Sequence, residues 1–189
     1  MSMPSINDEN KTVLYFGFGT NKDLAMMQHM IGKDEIVGRP GRLIGYEVCI
    51  QRGDQFRTDI PPTSPYPVSP RDLIVKSWGP DFEMYVSRPN PVGIAYGTIW
   101  ELTPEDLELV REWEIVDYGA QEDAWGIAID DDGNLHTVVT QSFMRPPIDI
   151  DRVVTGSDYE PYIWSRDAML KRADELREEY LARKNSNSD

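Results

Sequence analysis

One carboxylate is predicted to lie among apolar side chains at the end of a short helix. Thr103 suits the N-cap of this helix and Pro104 suits its first turn. If successive residues are about 100° apart and Leu107 is set at zero, Val110 and Glu114 fall at about 300° and about 340°, on one face. Because burial disfavours the charged form of a carboxyl group, we expect a raised pKa for Glu114, as a general acid/base needs.

Structural roles stay open for Glu114 at this point. An acidic residue at the end of a helix often turns outward or pairs with an arginine. Perturbed carboxyl groups also occur in structural ion pairs, not only in active sites. The helical position makes Glu114 a candidate for proton transfer without excluding a structural role.

A glycine-rich turn is the second candidate for chemistry. It reads Tyr15, Phe16, Gly17, Phe18, Gly19, Thr20, Asn21, after a predicted strand at 12–16 and before a predicted helix at 22–31. Such a turn directs several backbone N–H groups to one point, where they bind a carboxylate or an oxyanion. The alternative is an ordinary strand-to-helix turn, in which Asn21 is the N-cap and the glycines only supply backbone freedom.

Composition and charge exclude several classes of function. With 19 basic and 33 acidic residues the chain has a formal net charge of -14, which repels phosphates, so we expect no nucleic-acid and no membrane partner. No apolar run approaches the roughly 18 residues of a membrane span. Cys49, His29 and His136 cannot make a disulfide or a zinc site, and no signal peptide is visible, so we expect a cytoplasmic protein.

The remaining pattern predicts an α+β fold, with a small mixed β-sheet or barrel and flanking helices. Strands are predicted at 42–51 and 93–102, a hairpin at 124–130 and 135–143, and an amphipathic helix at 165–184 with Ser165 as N-cap. We expect one domain at 12–184, a flexible N-terminus at 1–11 and a flexible tail at 185–189.

A proline-rich stretch at 52–92 interrupts this pattern. It holds eight of the fourteen prolines, and proline withholds the N–H group that a strand ladder needs. We therefore predict an ordered excursion rather than sheet for most of this stretch. The alternative is a linker between two domains, which we disfavour because each half is too small to bury a core.

Three motifs, taken together, resemble the gamma-glutamylcyclotransferase-like family. The family opens with a strand ending in Tyr-Phe-x-Tyr-Gly-Ser-Asn, which matches 15–21, and the segment 41–46 is similar to its Ala-x-Leu-x-Gly-Tyr pattern. A second strand and the helix x-x-Asp-Leu-x-x-Leu-Asp-x-x-Glu-Gly match 98–115. The resemblance covers about 14–143 apart from the proline-rich stretch, and it places the family's catalytic glutamate on Glu114.

The resemblance implies a cyclotransferase of the acyltransferase or lyase class. Such an enzyme cyclises a γ-glutamyl amine or peptide to pyroglutamate and releases the amine, with Glu114 as general acid/base and without a metal or an organic cofactor. It implies substrate binding by Tyr15, Phe16, Gly17, Phe18, Gly19, Thr20 and Asn21. The partner would be a small γ-glutamyl substrate, the protein a monomer or a homodimer, and the net charge would favour cationic leaving amines.

The chain departs from the family pattern at three motif residues, and it has no clear counterpart of one tyrosine near the C-terminus. Phe18 and Thr20 stand where the family has Tyr and Ser, and Ile115 replaces the glycine after the glutamate. For the family's substrate-contacting tyrosine near the C-terminus we select Tyr162, with Tyr159 as the rival. These departures keep alternatives open, namely a non-catalytic small-ligand binding module and a protein-interaction module that docks through the proline-rich stretch.

Overall fold

The strands of the protein close into a small barrel. A computed structural model describes residues 11–62, 64–65, 67–143, 150 and 152–187, so most of the two ends predicted to be flexible lies outside the described residues. The strands are β1 (Val13–Gly17), β2 (Gly38–Arg52), β3 (Glu83–Leu102), β4 (Gln121–Asp130), β5 (Leu135–Phe143) and β6 (Val153–Val154). The helices are α1 (Leu24–Ile31), α2 (Pro70–Trp78), α3 (Pro104–Trp113) and α4 (Arg166–Ser186), with 3-10 turns at Gly19–Lys22 and Gly53–Gln55.

Closure of the barrel comes from the two longest strands. The strand order is β3-β1-β5-β4-β2, and β2 pairs back with β3. The β1 and β5 strands run parallel and the other pairs run antiparallel, while β6 extends the edge of β2 near Val48 and Cys49. This mixed, barrel-like sheet with four flanking helices confirms the predicted α+β fold.

Two clusters of buried side chains follow from the alternation of residues along β1. Phe16 packs with Leu43 and other strand residues, whereas the neighbouring Tyr15 contacts a cluster to which the helices contribute Met26 and Val110. Successive side chains of a strand point to opposite faces, so one short strand joins both clusters. The end of β1 is therefore fixed from both sides.

The predicted hairpin and the C-terminal helix are both present. β4 pairs with β5 from Gln121↔Phe143 to Ile129↔Leu135, around a turn that contains Gly133. The hydroxyl of Ser165 accepts a hydrogen bond from the N–H of Ala168 and caps α4, which continues to Ser186. In the described part of the chain no helix is both long and apolar enough to cross a membrane.

The prediction for the proline-rich stretch fails at its C-terminal end, and 53–82 forms no strand in the described part of the chain. Residues 83–92 belong to β3, and Pro70 begins α2 behind the N-cap Ser69. Pro89 and Pro91 are accommodated because the register of β2 and β3 shifts between Ile44 and Tyr46. The ladder is interrupted there, so the missing N–H groups of the prolines cost few hydrogen bonds.

Local chemistry sets both ends of α3. The hydroxyl of Thr103 accepts from the N–H of Asp106, and the Asp106 carboxylate accepts from the N–H of Thr103, which completes a capping box. Lys33 adds an ion pair at 2.7 Å from Asp106. The helix ends at Glu114, its C-cap, and Ile115 then turns the chain with φ of 55°.

Candidate active site

Glu114 is the buried carboxyl group that the helical pattern predicts. Its side chain is 7% exposed, and one oxygen accepts a hydrogen bond of 2.6 Å from Nδ2 of Asn21. The other oxygen accepts from Nε2 of Gln121. Burial raises the pKa of Glu114 to about 7, and the two amide donors oppose this rise. No arginine forms an ion pair with Glu114 among the described residues.

The turn after β1 contains two glycines that neighbouring groups approach closely. Gly19 has φ of 58°, and a Cβ atom there would lie 2.6 Å from the side chain of Tyr85. At Gly17 a Cβ atom would lie 2.3 Å from the backbone oxygen of Asn21. Both positions therefore require glycine, for reasons of conformation and of close approach.

Asn21 connects the turn to Glu114 and to the barrel. Its side chain is 1% exposed, and Nδ2 donates to the hydroxyl of Tyr15 at 2.8 Å as well as to Glu114. The indole N–H of Trp100 donates to the backbone oxygen of Asn21 at 2.8 Å. The alternative that Asn21 caps α1 is wrong, because Asp23 is the N-cap and Asn21 points into the core.

Tyr159, rather than Tyr162, contacts the glycine-rich turn. The hydroxyl of Tyr159 accepts from the N–H of Gly19 at 3.0 Å and donates to the backbone oxygen of Tyr96 at 2.8 Å. The hydroxyl of Tyr162 instead donates to Asp23 at the start of α1. Burial raises the pKa of both tyrosines, so both hydroxyl groups stay protonated near neutral pH.

A cavity of about 700 Å³ opens beside Glu114. Phe18 and Thr20 contribute to it from the glycine-rich turn, and Glu114 and Ile115 from the end of α3. The far walls come from α2 and α4. A titratable group with a pKa near neutrality thus faces a space large enough for a small-molecule substrate.

The predicted site residues divide into two groups. Phe18, Thr20 and Glu114 line the cavity. The remaining predicted residues do not line it: Tyr15, Phe16, Gly17, Gly19, Asn21 and Tyr162. Asn21 nevertheless holds the lining residue Glu114 by a hydrogen bond. Tyr15 and Phe16 are fully buried and belong to the two core clusters.

Ile115 adopts a backbone conformation that favours glycine. Its φ of 55° lies in the left-handed region, which costs a residue with a Cβ atom about 1–2 kcal/mol. The N–H of Ala120 donates to the backbone oxygen of Ile115 at 3.2 Å and holds the turn. The chain therefore turns directly after Glu114, and the branched side chain of Ile115 forms part of the cavity wall.

Sequence reasoning missed the residues that surround Glu114 from other elements. Gln121 reaches Glu114 only because the turn after α3 folds back onto the helix end. Trp78 and Phe82 come from the stretch that we treated as an excursion, and they line the same cavity. Aromatic residues near 78–82, 113 and 164 were visible in the sequence. Because these segments are far apart along the chain, the sequence did not indicate that they line one cavity.

Comparison with known proteins gives the fold a name. No model of a known protein family matches the chain, and no curated protein sequence matches it. A solved structure of a gamma-glutamyl cyclotransferase superposes with a TM-score of 0.53 at 12% identity, over 76% of this chain and 70% of the other. The chain has the gamma-glutamyl cyclotransferase fold. An uncharacterized protein from Homo sapiens with this fold superposes with a TM-score of 0.52 at 12% identity, over 76% and 71% of the two chains.

The gamma-glutamyl cyclotransferase fold confirms the resemblance that the sequence motifs indicate. At 12% identity the likeness is one of fold. Within this fold, the end of β1 and the end of α3 are adjacent, as the contact between Asn21 and Glu114 shows. The two sequence motifs therefore meet in space.

Proposed function

We propose that the protein cyclises a γ-glutamyl amine or peptide to pyroglutamate and releases the amine. The observation that supports this proposal is the buried carboxyl group of Glu114, whose pKa lies at about 7 and which lines a cavity together with the glycine-rich turn. A carboxyl group with this pKa can accept and return a proton near neutral pH. The likeness in fold to a gamma-glutamyl cyclotransferase points to the same reaction class.

Glu114 acts as base and then as acid in this proposal. As a carboxylate it takes a proton from the α-ammonium group of the substrate, and the freed amine attacks the γ-carbonyl carbon. A carbon–nitrogen bond forms in the five-membered ring, and the bond to the leaving nitrogen breaks. Glu114 returns its proton to that nitrogen, and the second proton of the ring nitrogen passes to the departing amine. The amine therefore leaves as an ammonium ion, and the carboxylate is regenerated.

The glycine-rich turn holds the substrate in the proposal. Backbone N–H groups of Phe18, Gly19 and Thr20 bind the α-carboxylate and stabilise the charge on the attacked oxygen. Holding the flexible γ-glutamyl chain in a ring-closing conformation contributes to the rate. Because the N–H of Gly19 already donates to Tyr159, a substrate oxygen at Gly19 must exchange with this hydroxyl or bind beside it.

A second candidate function is a binding module on the same fold. The engagement of the Gly19 N–H by Tyr159 favours it, because one of the proposed donors is occupied. In this case the cavity holds a small ligand without turnover. The predictions of a monomer or homodimer, of a cytoplasmic location and of no cofactor stay predictions under both functions.

Incubation with a panel of γ-glutamyl amines and γ-glutamyl amino acids tests the proposal. Wild type should form pyroglutamate, detected by mass spectrometry, and Glu114→Gln should form none while keeping the fold. Glu108→Gln is the matched control, because Glu108 is an exposed carboxylate on the same helix. Equal product from wild type and Glu114→Gln would contradict the role of Glu114. No product from folded wild type, with ligand bound, would favour the binding module.

A further inference from the structure

The cavity extends well beyond the carboxyl group that gives it a reactive centre. Its volume of about 700 Å³ falls in the range of roughly 300–1,000 Å³ that is typical of sites for drug-sized ligands. Glu114 and Thr20 lie in one part of it, and the rest runs between α2 and α4. The part near Glu114 suits the γ-glutamyl group, so the larger part is left for the group attached to its amide nitrogen.

Four aromatic rings in mutual contact form one side of this larger part. We name Trp113, Trp78, Phe82 and Trp164 the aromatic wall. Trp78 stacks on Phe82, with ring centroids 4.9 Å apart and an interplanar angle of 12°. Trp113 meets Trp78 edge-on at 6.3 Å, and Trp164 meets Phe82 edge-on at 5.3 Å.

The aromatic wall begins at the reactive centre. Trp113 precedes Glu114 in the chain, and all four rings line the cavity. Trp78, Trp113 and Trp164 are half-buried, so part of each ring remains accessible to a ligand. Aromatic faces favour stacked or edge-on contact with another ring, beyond the gain from burying apolar area.

Several of the charged residues around the cavity are paired with one another. Arg172 lies 3.3 Å from Glu175 and 3.0 Å from Glu179. Arg183 forms an ion pair with Glu112, whose carboxylate also accepts from the hydroxyl of Tyr118 at 3.0 Å. These ion pairs set three carboxylates against two guanidinium groups, so they leave an excess of negative charge beside the cavity. This local charge has the same sign as the net charge of the chain, so charge does not separate an aromatic from a cationic leaving amine.

We propose that the amine released from the substrate carries an aromatic or large apolar group, which binds against the aromatic wall. This inference rests on the proposed cyclisation, because it identifies the part of the γ-glutamyl substrate that leaves. Small leaving groups such as glycine leave the wall without a partner. An uncharged aromatic amine fills it and removes apolar area from water.

Three γ-glutamyl amides that share one head group test the inference. They are γ-glutamyl ethylamide, γ-glutamyl phenethylamide, which adds a phenyl ring, and γ-glutamyl-ε-lysine, which adds a charge. Their dissociation constants are measured by calorimetry with Glu114→Gln, so that turnover does not disturb binding. We expect the phenethylamide to bind at least about tenfold more tightly than either of the others.

Substitutions in the Glu114→Gln protein assign the preference to the wall. Adding Trp78→Ala should remove most of the tenfold preference for the phenethylamide over the ethylamide. Trp78→Phe retains a ring and should keep most of the preference. Trp125→Ala is the control, since Trp125 is 67% exposed on β4 and does not line the cavity.

Binding and turnover separate the two proposals. Equal binding of the three amides, or tightest binding of the lysine compound, overturns the inference even if wild type turns all of them over. This result needs no wall variant, so it holds even if Trp78→Ala fails to fold. Tight binding of the phenethylamide that depends on the aromatic wall supports the aromatic preference. If wild type forms no pyroglutamate from any of the three amides, the proposed cyclisation is refuted and the binding preference is not.

Discussion

The stability of the protein should fall with rising pH because of Glu114. The folded protein keeps the proton of Glu114 up to a pKa of about 7, whereas the ordinary value of a glutamate is 4.5. Between these values the folded state binds more protons than the unfolded chain, so raising the pH favours unfolding. A displacement from 4.5 to about 7, at about 1.4 kcal/mol for each tenfold change, corresponds to about 3 kcal/mol.

Glu114→Gln isolates this contribution, because glutamine is neutral throughout and nearly the same size. The variant should fold, since Oε1 of Gln121 is buried with no hydrogen-bond partner in the described structure and can accept from the new amide if the Gln121 side chain rotates. Urea unfolding of both proteins gives the difference in free energy of unfolding at each pH. All other titrating groups are shared, so they largely cancel.

The expected difference curve has one step. Wild type should lose about 3 kcal/mol relative to Glu114→Gln between pH 4.5 and about 7, and nothing further at higher pH. The control Glu108→Gln should follow wild type closely, because Glu108 is exposed. A difference that stays constant over this range would refute the reasoning, since it would mean that Glu114 titrates at its ordinary pKa in the folded protein.

Three further predictions concern the same region. The rate of pyroglutamate formation should rise as the pH passes through about 7, because only the carboxylate form of Glu114 accepts the proton; a rate that falls over this range would exclude it as the base. Asn21→Ala should move the midpoint of that rise to higher pH, because it removes a hydrogen bond that lowers the pKa of Glu114. The same variant should lower the free energy of unfolding in urea by about 1–3 kcal/mol. An unchanged midpoint would mean that this bond is not made in solution. Ile115→Gly should be more stable than Ile115→Ala by about 1 kcal/mol, the reverse of the usual order, because only glycine adopts φ of 55° without strain; a more stable alanine variant in the same assay would place Ile115 in another conformation.

Local patterns in the sequence predicted α3 and the position of Glu114 well. The capping residues of α3 lie within four positions of one another, and the helical period determines which side of the helix Glu114 shares with Val110. The β4–β5 hairpin is equally local, because its turn and both strands are continuous in the chain. Such features depend on neighbouring residues and need no knowledge of the rest of the fold.

The rest of the site depends on contacts between distant segments. Proline content argued against a strand at 83–92, but the irregular pairing of β2 with β3 tolerates Pro89 and Pro91. The hydroxyl of Tyr159, and not that of Tyr162, reaches Gly19, and this contact joins residues 140 positions apart in the chain. Neither outcome follows from periodicity or residue propensity, because both are decided when the barrel closes and brings distant segments together.

The connection between β2 and β3 has a consequence for how such proteins diversify. The two strands pair as far as Arg52↔Glu83. A turn of two residues would be enough to connect them in an ordinary hairpin. The connection instead runs over 53–82 and includes Trp78 and Phe82. Loop tips tolerate insertions and deletions with little effect on the elements that they join. Under the proposed function, exchange of this connection would alter the aromatic wall while Glu114 and the barrel stay unchanged, so specificity and chemistry would be inherited as separate parts.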